Sequence, residues 1–114
     1  MTRYSVNVSN QAEQDLRGIF EYIAFELFAP ENAAAQLDRL ESAIETLETF
    51  PEKHRQYNKE PWKSRNLRVL PVDNYCVFYI PDKAELTVTI IRIIYGGRDI
   101  EKQLEEHTED ISEH

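Results

Sequence analysis

The feature that most constrains how this sequence can fold is the segment from Leu86 to Arg98, LTVTIIRIIYGGR. Side chains alternate between the two faces of a β-strand. One predicted face carries Leu86, Val88, Ile90, Arg92 and Ile94, and the other carries Thr87, Thr89, Ile91, Ile93 and Tyr95. From Ile90 onward both faces are apolar except at Arg92, which is typical of a central strand covered on both sides.

Two arginines in this segment do not fit an ordinary core strand. Gly96 and Gly97 indicate a tight exit that would set Arg98 at the edge of the sheet. Burial of the strand explains its aliphatic residues, but it does not explain Arg92 or Arg98.

The length of 114 residues predicts a single domain that buries about two thirds of the surface of its unfolded chain. We expect this domain to span residues 1–104 and the acidic tail, residues 105–114, to be disordered. Cys76 is the only cysteine, so an internal disulfide is excluded and a reducing, cytoplasmic location is expected. No apolar run approaches the roughly 20 residues of a membrane span, and we expect no secretion signal.

The net charge of −8 argues against nucleic-acid binding only if the charge is evenly spread. It is uneven, because residues 9–49 hold nine acidic and two basic residues, whereas residues 52–104 hold seven acidic and ten basic residues. The segment 53–68 carries six basic residues against Glu60 alone: Lys53, Arg55, Lys59, Lys63, Arg65 and Arg68. A solvated charged loop is one interpretation of this segment, and a basic working face is the other.

Hydrophobic periodicity predicts two helices after a first strand, Arg3 to Val8. Ser9 or Asn10 would cap the first helix, which runs to about Phe28 with an apolar stripe of Ala12, Leu16, Ile19, Phe20, Ile23 and Leu27. Tyr22 and Phe25 lie off this stripe and would contact either a neighbouring helix or a partner. Pro30 begins a second helix with apolar residues at Ala33, Leu37, Leu40, Ile44 and Leu47, and the short connection indicates an antiparallel hairpin.

The second half of the chain predicts a β-meander. A loop from Glu52 to Lys63, with Tyr57 and Trp62 as anchors, leads to strands Arg65 to Leu70 and Tyr75 to Ile80, and then to the long strand. Asp99 would cap a short helix ending at Leu104. The fold class is therefore α+β in the order β-α-α-β-β-β, with a helical hairpin on one face of a small, mainly antiparallel sheet and a short C-terminal helix. The opposite face is expected to lack cover.

This order of elements, with the phrases RNLRVLPVDNYCVFYI and VTIIRIIYGGRDIEKQL, resembles the RelE/ParE superfamily of bacterial toxins from type II toxin-antitoxin systems. The similarity extends from Tyr4 to Leu104. It implies a growth-inhibiting, plasmid-stabilising toxin bound by an antitoxin protein whose C-terminal segment wraps around it. The resemblance thus suggests what would cover the open sheet face, and partner contacts are expected at Tyr75, Phe78, Tyr79, Ile91, Ile93 and Tyr95.

The resemblance leaves the target open, because one branch of the superfamily cuts messenger RNA on the ribosome and another poisons DNA gyrase. RelE-like cutters use lysine and arginine as base and for charge stabilisation. Their basic strand is matched in kind by Lys63, Arg65 and Arg68, and the arginine after the glycines by Arg98, with Arg92 a further candidate catalytic residue.

Two positions depart from the RelE pattern. Where RelE-like cutters have an arginine in the strand after the turn, this sequence has Cys76. The position of their tyrosine in the last helix corresponds approximately to Leu104. Tyr95 or His54 could substitute for the missing acid or base. Cys76 fits a buried strand thiol better than a nucleophile, since no histidine or acid lies nearby in sequence.

Three functions are therefore compatible with the sequence. A gyrase inhibitor that needs no catalytic residues is slightly favoured, a ribosome-dependent endoribonuclease is the alternative, and a non-toxic antitoxin-binding co-repressor is the third. Operator DNA would be contacted only through the antitoxin. No cofactor or metal site is predicted, because His54, His107 and His114 are too scattered for a ligand set.

Overall fold

The computed structural model describes residues 2–97 and 99–106. Its strands and helices are, in chain order, β1 Ser5–Val8, α1 Asn10–Glu21, α2 Pro30–Glu45, β2 Arg68–Val72, β3 Tyr75–Asp82, β4 Thr87–Tyr95 and α3 Ile100–Glu106. The predicted α+β fold and its order of elements are confirmed. The predicted tail begins inside α3, which ends at Glu106, and residues 107–114 lie outside the described part of the chain.

The sheet has the strand order β1-β4-β3-β2. β4 pairs in parallel with β1 and antiparallel with β3, and β2 and β3 form an antiparallel hairpin. The central position predicted for the long strand is therefore correct. β1 pairs with β4 only as far as Val8 opposite Ile90, so the rest of that edge of β4 is not paired with a strand.

The helical hairpin begins as the sequence predicts. The hydroxyl of Ser9 accepts a hydrogen bond from the amide of Ala12 (3.1 Å), and Pro30 occupies the first turn of α2. α1 ends at Glu21, earlier than predicted, and the chain continues as a π-helical turn, Tyr22–Glu26. The hairpin covers one face of the sheet and forms a first core of Tyr4, Ala12, Leu40, Ile44, Leu47, Leu70, Val77, Tyr79, Val88, Ile90 and Ile93.

The predicted assignment of β4 side chains to the two faces is wrong beyond Ile91. Phe78 pairs with Arg92 whereas Tyr79 pairs with Ile90, so β4 contains one more residue than β3 at this point. Such a bulge reverses the alternation of side chains. Ile93 consequently joins Ile90 in the first core, and Ile94 joins Ile91 on the opposite face.

The expectation that this opposite face lacks cover is also wrong. A second core of Trp62, Leu67, Val69, Phe78, Ile91, Ile94 and Leu104 fills it. The segment 57–67 and α3 provide the cover, with the Tyr57 ring edge-on to Phe78 at 5.7 Å between centroids. Tyr57 and Trp62, which the sequence predicts only as loop anchors, therefore help to cover the second face of the sheet.

The segment before β2 also differs from prediction. Residues 61–66 form turns, and β2 begins at Arg68 rather than Arg65. The outer edge of β2 is partly covered, because the amide of Tyr57 donates to the carbonyl of Leu67 and the amide of Val69 donates to that of Arg55.

The two glycines that follow β4, Gly96 and Gly97, have no positive φ. A Cβ added at Gly97 would lie 2.6 Å from the Tyr95 ring, so close packing explains the glycine at this position.

Candidate functional site

The four candidate catalytic residues that the structure describes lie on different elements. Lys63 and Arg65 lie in the turns before β2, Arg68 is the first residue of β2, and Arg92 lies in the middle of β4. The fifth candidate, Arg98, lies outside the described residues. The individual environments of the four described residues determine which of them could contact a substrate.

Arg92 is buried in an ion pair and does not belong to an open basic face. Its Nε and Nη2 atoms donate to the two carboxylate oxygens of Asp15 on α1, at 2.8 and 3.0 Å, and its Nη1 donates to the carbonyl of Gln103 on α3 at 2.9 Å. The side chain is 5% exposed, and that of Asp15 is 15% exposed. A bidentate pair at this burial fixes the guanidinium in place.

Arg68 is also occupied by the protein. Its Nη1 donates to the backbone carbonyls of Glu52 (3.0 Å) and His54 (2.8 Å) and so ties the 51–54 segment to β2. Burial lowers the pKa of His54, and the positive charge of Lys53 lowers it further. The His54 Nε2 and Arg68 Nε atoms are buried without a hydrogen-bond partner among the described residues.

Lys63 and Arg65 are more accessible. Lys63 is exposed, and Arg65 is half-buried with its guanidinium carbon 5.2 Å from the centroid of Trp62. This cation–π contact holds Arg65 against the second core without neutralising its charge. Of the candidate cations that the structure describes, these two are the ones that a large partner could reach.

The two positions that depart from the RelE pattern, Cys76 and Leu104, hold side chains that are unsuited to acid–base catalysis. Burial raises the pKa of the Cys76 thiol, although Arg55 opposes the shift, so the protonated form is favoured. Leu104 is fully buried in the second core. Tyr95 is 47% exposed and packs edge-on against Tyr75 at the far end of β4. The described residues contain no group of side chains suited to a metal ion.

A cleft of about 800 Å³ lies between α1 and the C-terminal end of β4. One wall carries Ile19, Tyr22, Ile23 and Leu27, the other carries Tyr75, Ile93 and Tyr95, and Asp15 and Arg92 also line it. Three of the six predicted partner-contact residues, Tyr75, Ile93 and Tyr95, therefore line one cleft.

The other three, Phe78, Tyr79 and Ile91, are buried in the two cores and do not line the cleft, whereas Ile93 is equally buried but lines the cleft. The helical wall of the cleft is not among the partner contacts that the sequence predicts. Its one signal was the position of Tyr22 outside the apolar stripe.

Comparison with known proteins identifies what the fold resembles. A family model described as the ParE toxin of the type II toxin-antitoxin system parDE matches residues 6–100. No curated protein sequence matches the chain significantly.

Several solved structures share the fold at low sequence identity. The chromosomal ParDE system of P. aeruginosa matches with a TM-score of 0.67 and 18% identity over 82% of this chain and 96% of that one. The RelBE2 toxin-antitoxin complex of Mycobacterium tuberculosis matches with a TM-score of 0.60 and 22% identity over 83% and 93% of the two chains. A mutant of the E. coli toxin RelE in its free state matches with a TM-score of 0.66 and 9% identity over 98% and 100%.

No helix within the described part of the chain is both long enough and apolar enough to cross a membrane.

Proposed function

Because the chain belongs to the ParE toxin family of type II toxin-antitoxin systems, we propose that it arrests growth by binding DNA gyrase. This target requires a protein surface and no catalytic constellation. The observation that carries the proposal is the environment of the residues that would be needed for nuclease activity. Arg92 is paired with Asp15, Arg68 is bound to backbone carbonyls, and Cys76 and Leu104 are buried or half-buried where RelE-like cutters place reactive groups.

We further propose that a cognate antitoxin protein neutralises the toxin by filling the cleft beside β4. Two of the similar structures are toxin-antitoxin complexes, RelBE2 of M. tuberculosis and RelE-RelB of Pyrococcus horikoshii OT3. The cleft offers the rings of Tyr75 and Tyr95 on one wall and the side chains of Tyr22 and Leu27 on the other. A peptide with apolar side chains could pack between the two walls.

The target is tested by brief expression of the chain without an antitoxin. Gyrase inhibition predicts DNA-damage signalling with intact reporter messenger, and the purified chain should block supercoiling of relaxed plasmid by gyrase. Codon-phased cleavage of the messenger during translation, with unaffected supercoiling, would instead establish a RelE-like endoribonuclease. An intact messenger, active gyrase and normal growth would favour the non-toxic co-repressor.

Two of the candidate cations, Arg65 and Arg98, give a residue-level test of the proposed basic face. We expect Arg65→Ala and Arg98→Ala each to weaken growth arrest while the circular dichroism spectrum stays unchanged, because a basic face would contact either target. Lys83→Ala is the matched control, since Lys83 is an exposed cation in the β3–β4 turn. Unchanged toxicity in both arginine variants would exclude the basic face as the toxic surface.

A further inference from the structure

The connection between α1 and α2 exposes a cluster of large apolar side chains, here called the hairpin tip and defined as Tyr22, Phe25, Leu27 and Phe28. Their exposed fractions are 55%, 65%, 54% and 86%. Single exposed apolar residues are normal on protein surfaces, but a cluster of four within seven residues indicates a binding surface. Phe25 and Phe28 are not among the residues that line the cleft beside β4.

The backbone of the hairpin tip is held in an unusual conformation. The amide of Leu27 donates to the carbonyl of Tyr22 (3.1 Å), and that of Ala29 donates to the carbonyl of Ile23 (3.0 Å), which closes a wide π-type turn. Phe28 has a φ of 54°, a left-handed conformation that is unfavourable for a non-glycine residue. Buried Ala24 anchors the turn. These contacts fix the backbone that carries the aromatic residues, whose side chains face solvent.

The charged residues of the segment that contains the hairpin tip are all acidic. Between Arg17 and Arg39 the sequence contains four acidic residues and no basic residue. Three of them, Glu21, Glu26 and Glu31, are exposed within the turn or directly beside it. An apolar surface with an acidic rim fits a partner that presents apolar side chains flanked by lysine or arginine.

The same charges disfavour other occupants. A second copy packing through its own hairpin tip would bring two acidic rims together. Residues 107–114 of this chain contain three acidic residues and no lysine or arginine, so they would be repelled. An anionic membrane surface would be repelled for the same reason.

We propose that the hairpin tip is a docking surface for a basic amphipathic helix of a partner protein. The apolar stripe of that helix contacts Phe25 and Phe28, and its lysine or arginine side chains lie beside Glu21, Glu26 and Glu31. This surface adjoins the proposed antitoxin cleft, which Tyr22 and Leu27 also line, and it extends beyond the cleft at Phe25 and Phe28. It does not depend on the identity of the toxin's target.

The test uses two synthetic helical peptides with the same apolar stripe of leucine and tryptophan, one with lysine flanks and one with glutamate flanks. Binding of each labelled peptide to the full chain is measured by fluorescence anisotropy at low and high salt. We expect saturable binding of the lysine peptide, weakened by salt, and no binding of the glutamate peptide. Equal affinity for both peptides, or no saturable binding of the lysine peptide, would overturn the proposal.

Matched variants locate the binding. Phe25→Ser/Phe28→Ser should lower the affinity for the lysine peptide by roughly tenfold or more, as expected when aromatic anchors of an interface are lost. Phe50→Ser, which removes another exposed aromatic residue of left-handed conformation outside the tip, should not.

The acidic rim is tested separately. Glu21→Gln/Glu26→Gln should weaken binding and reduce its salt dependence, whereas Glu41→Gln/Glu45→Gln, at exposed positions on α2, should not. Equal losses in target and control variants would refute the assignment. A wild-type dimer that the Phe25→Ser/Phe28→Ser change dissociates would identify a second copy as the occupant and also overturn the proposal.

Discussion

At the scale of single residues, Asp15 connects three parts of the fold. Its carboxylate pairs with Arg92 and also accepts the amide hydrogen of Ile93 at 2.8 Å, at the part of the β4 edge that β1 does not reach. Arg92 in turn donates to Gln103 on α3. Residue types alone marked Arg92 as unusual, but its partner lies 77 positions away. No local pattern could have revealed that distant pairing.

Removing Asp15 should therefore destabilise the protein strongly. We expect Asp15→Ala to lower the free energy of unfolding by about 3–5 kcal/mol, because it leaves the Arg92 guanidinium buried without its counter-charge. Urea denaturation measures the change. Glu48→Ala, which breaks the exposed pair with Arg3, is the control and should cost about 0–1 kcal/mol. Equal losses in the two variants would contradict a structural role for the buried pair.

His54 should make stability depend on pH. Burial and Lys53 hold the pKa of its imidazole below the ordinary value of 6.5, so the unfolded chain binds the proton more tightly than the folded protein. Well above pH 6.5 the imidazole is neutral in both the folded and the unfolded state and does not affect stability. The free energy of unfolding falls as the pH drops below that value, because the unfolded chain is protonated first. His54→Gln should remove part of the fall between pH 7.5 and 5.5 in chemical denaturation, and an unchanged pH profile would count against this cause.

At the scale of elements, the sequence was informative wherever one face of an element is apolar and the other polar. The stripes of α1 and α2, the Ser9 cap and Pro30 predicted the hairpin correctly for this reason. β4 is apolar on both faces, so period-two alternation could not reveal its bulge or place Ile93 and Ile94.

The cover of the second face could not be inferred in the same way. It comes from Tyr57, Trp62 and Leu67 in a segment without regular periodicity, together with Leu104 of α3. The helical wall of the cleft was missed because the α-helix changes to a π-helical turn at Tyr22.

α3 should contribute measurably to stability although it is short. Leu104, a residue of α3, is fully buried in the second core, so Leu104→Ala should lower the free energy of unfolding by about 2–5 kcal/mol in urea denaturation. Glu105→Ala, at the exposed neighbouring position, should cost no more than about 0.5 kcal/mol. A negligible effect of Leu104→Ala would mean that α3 does not seal the second core in solution.

At the scale of the whole molecule, the two cores share β3 and β4 and should unfold together. Trp62 is the only tryptophan and lies in the second core, whereas α1 and α2 cover the first core. Tryptophan fluorescence and far-ultraviolet circular dichroism therefore report on opposite faces of the sheet. We expect their urea transitions to coincide, as in a two-state domain, and separate midpoints would show that one face opens alone.

The Asp15 carboxylate at the unpaired stretch of β4 also bears on how the free protein behaves at high concentration. Exposed strand edges with unsatisfied amides recruit strands from neighbouring molecules and lead to aggregation. Here a helix-borne acid accepts one of those amide hydrogens, and α1 stands beside the stretch that a foreign strand would need. The fold thereby shields the isoleucine-rich part of β4 from pairing with a strand of a second copy.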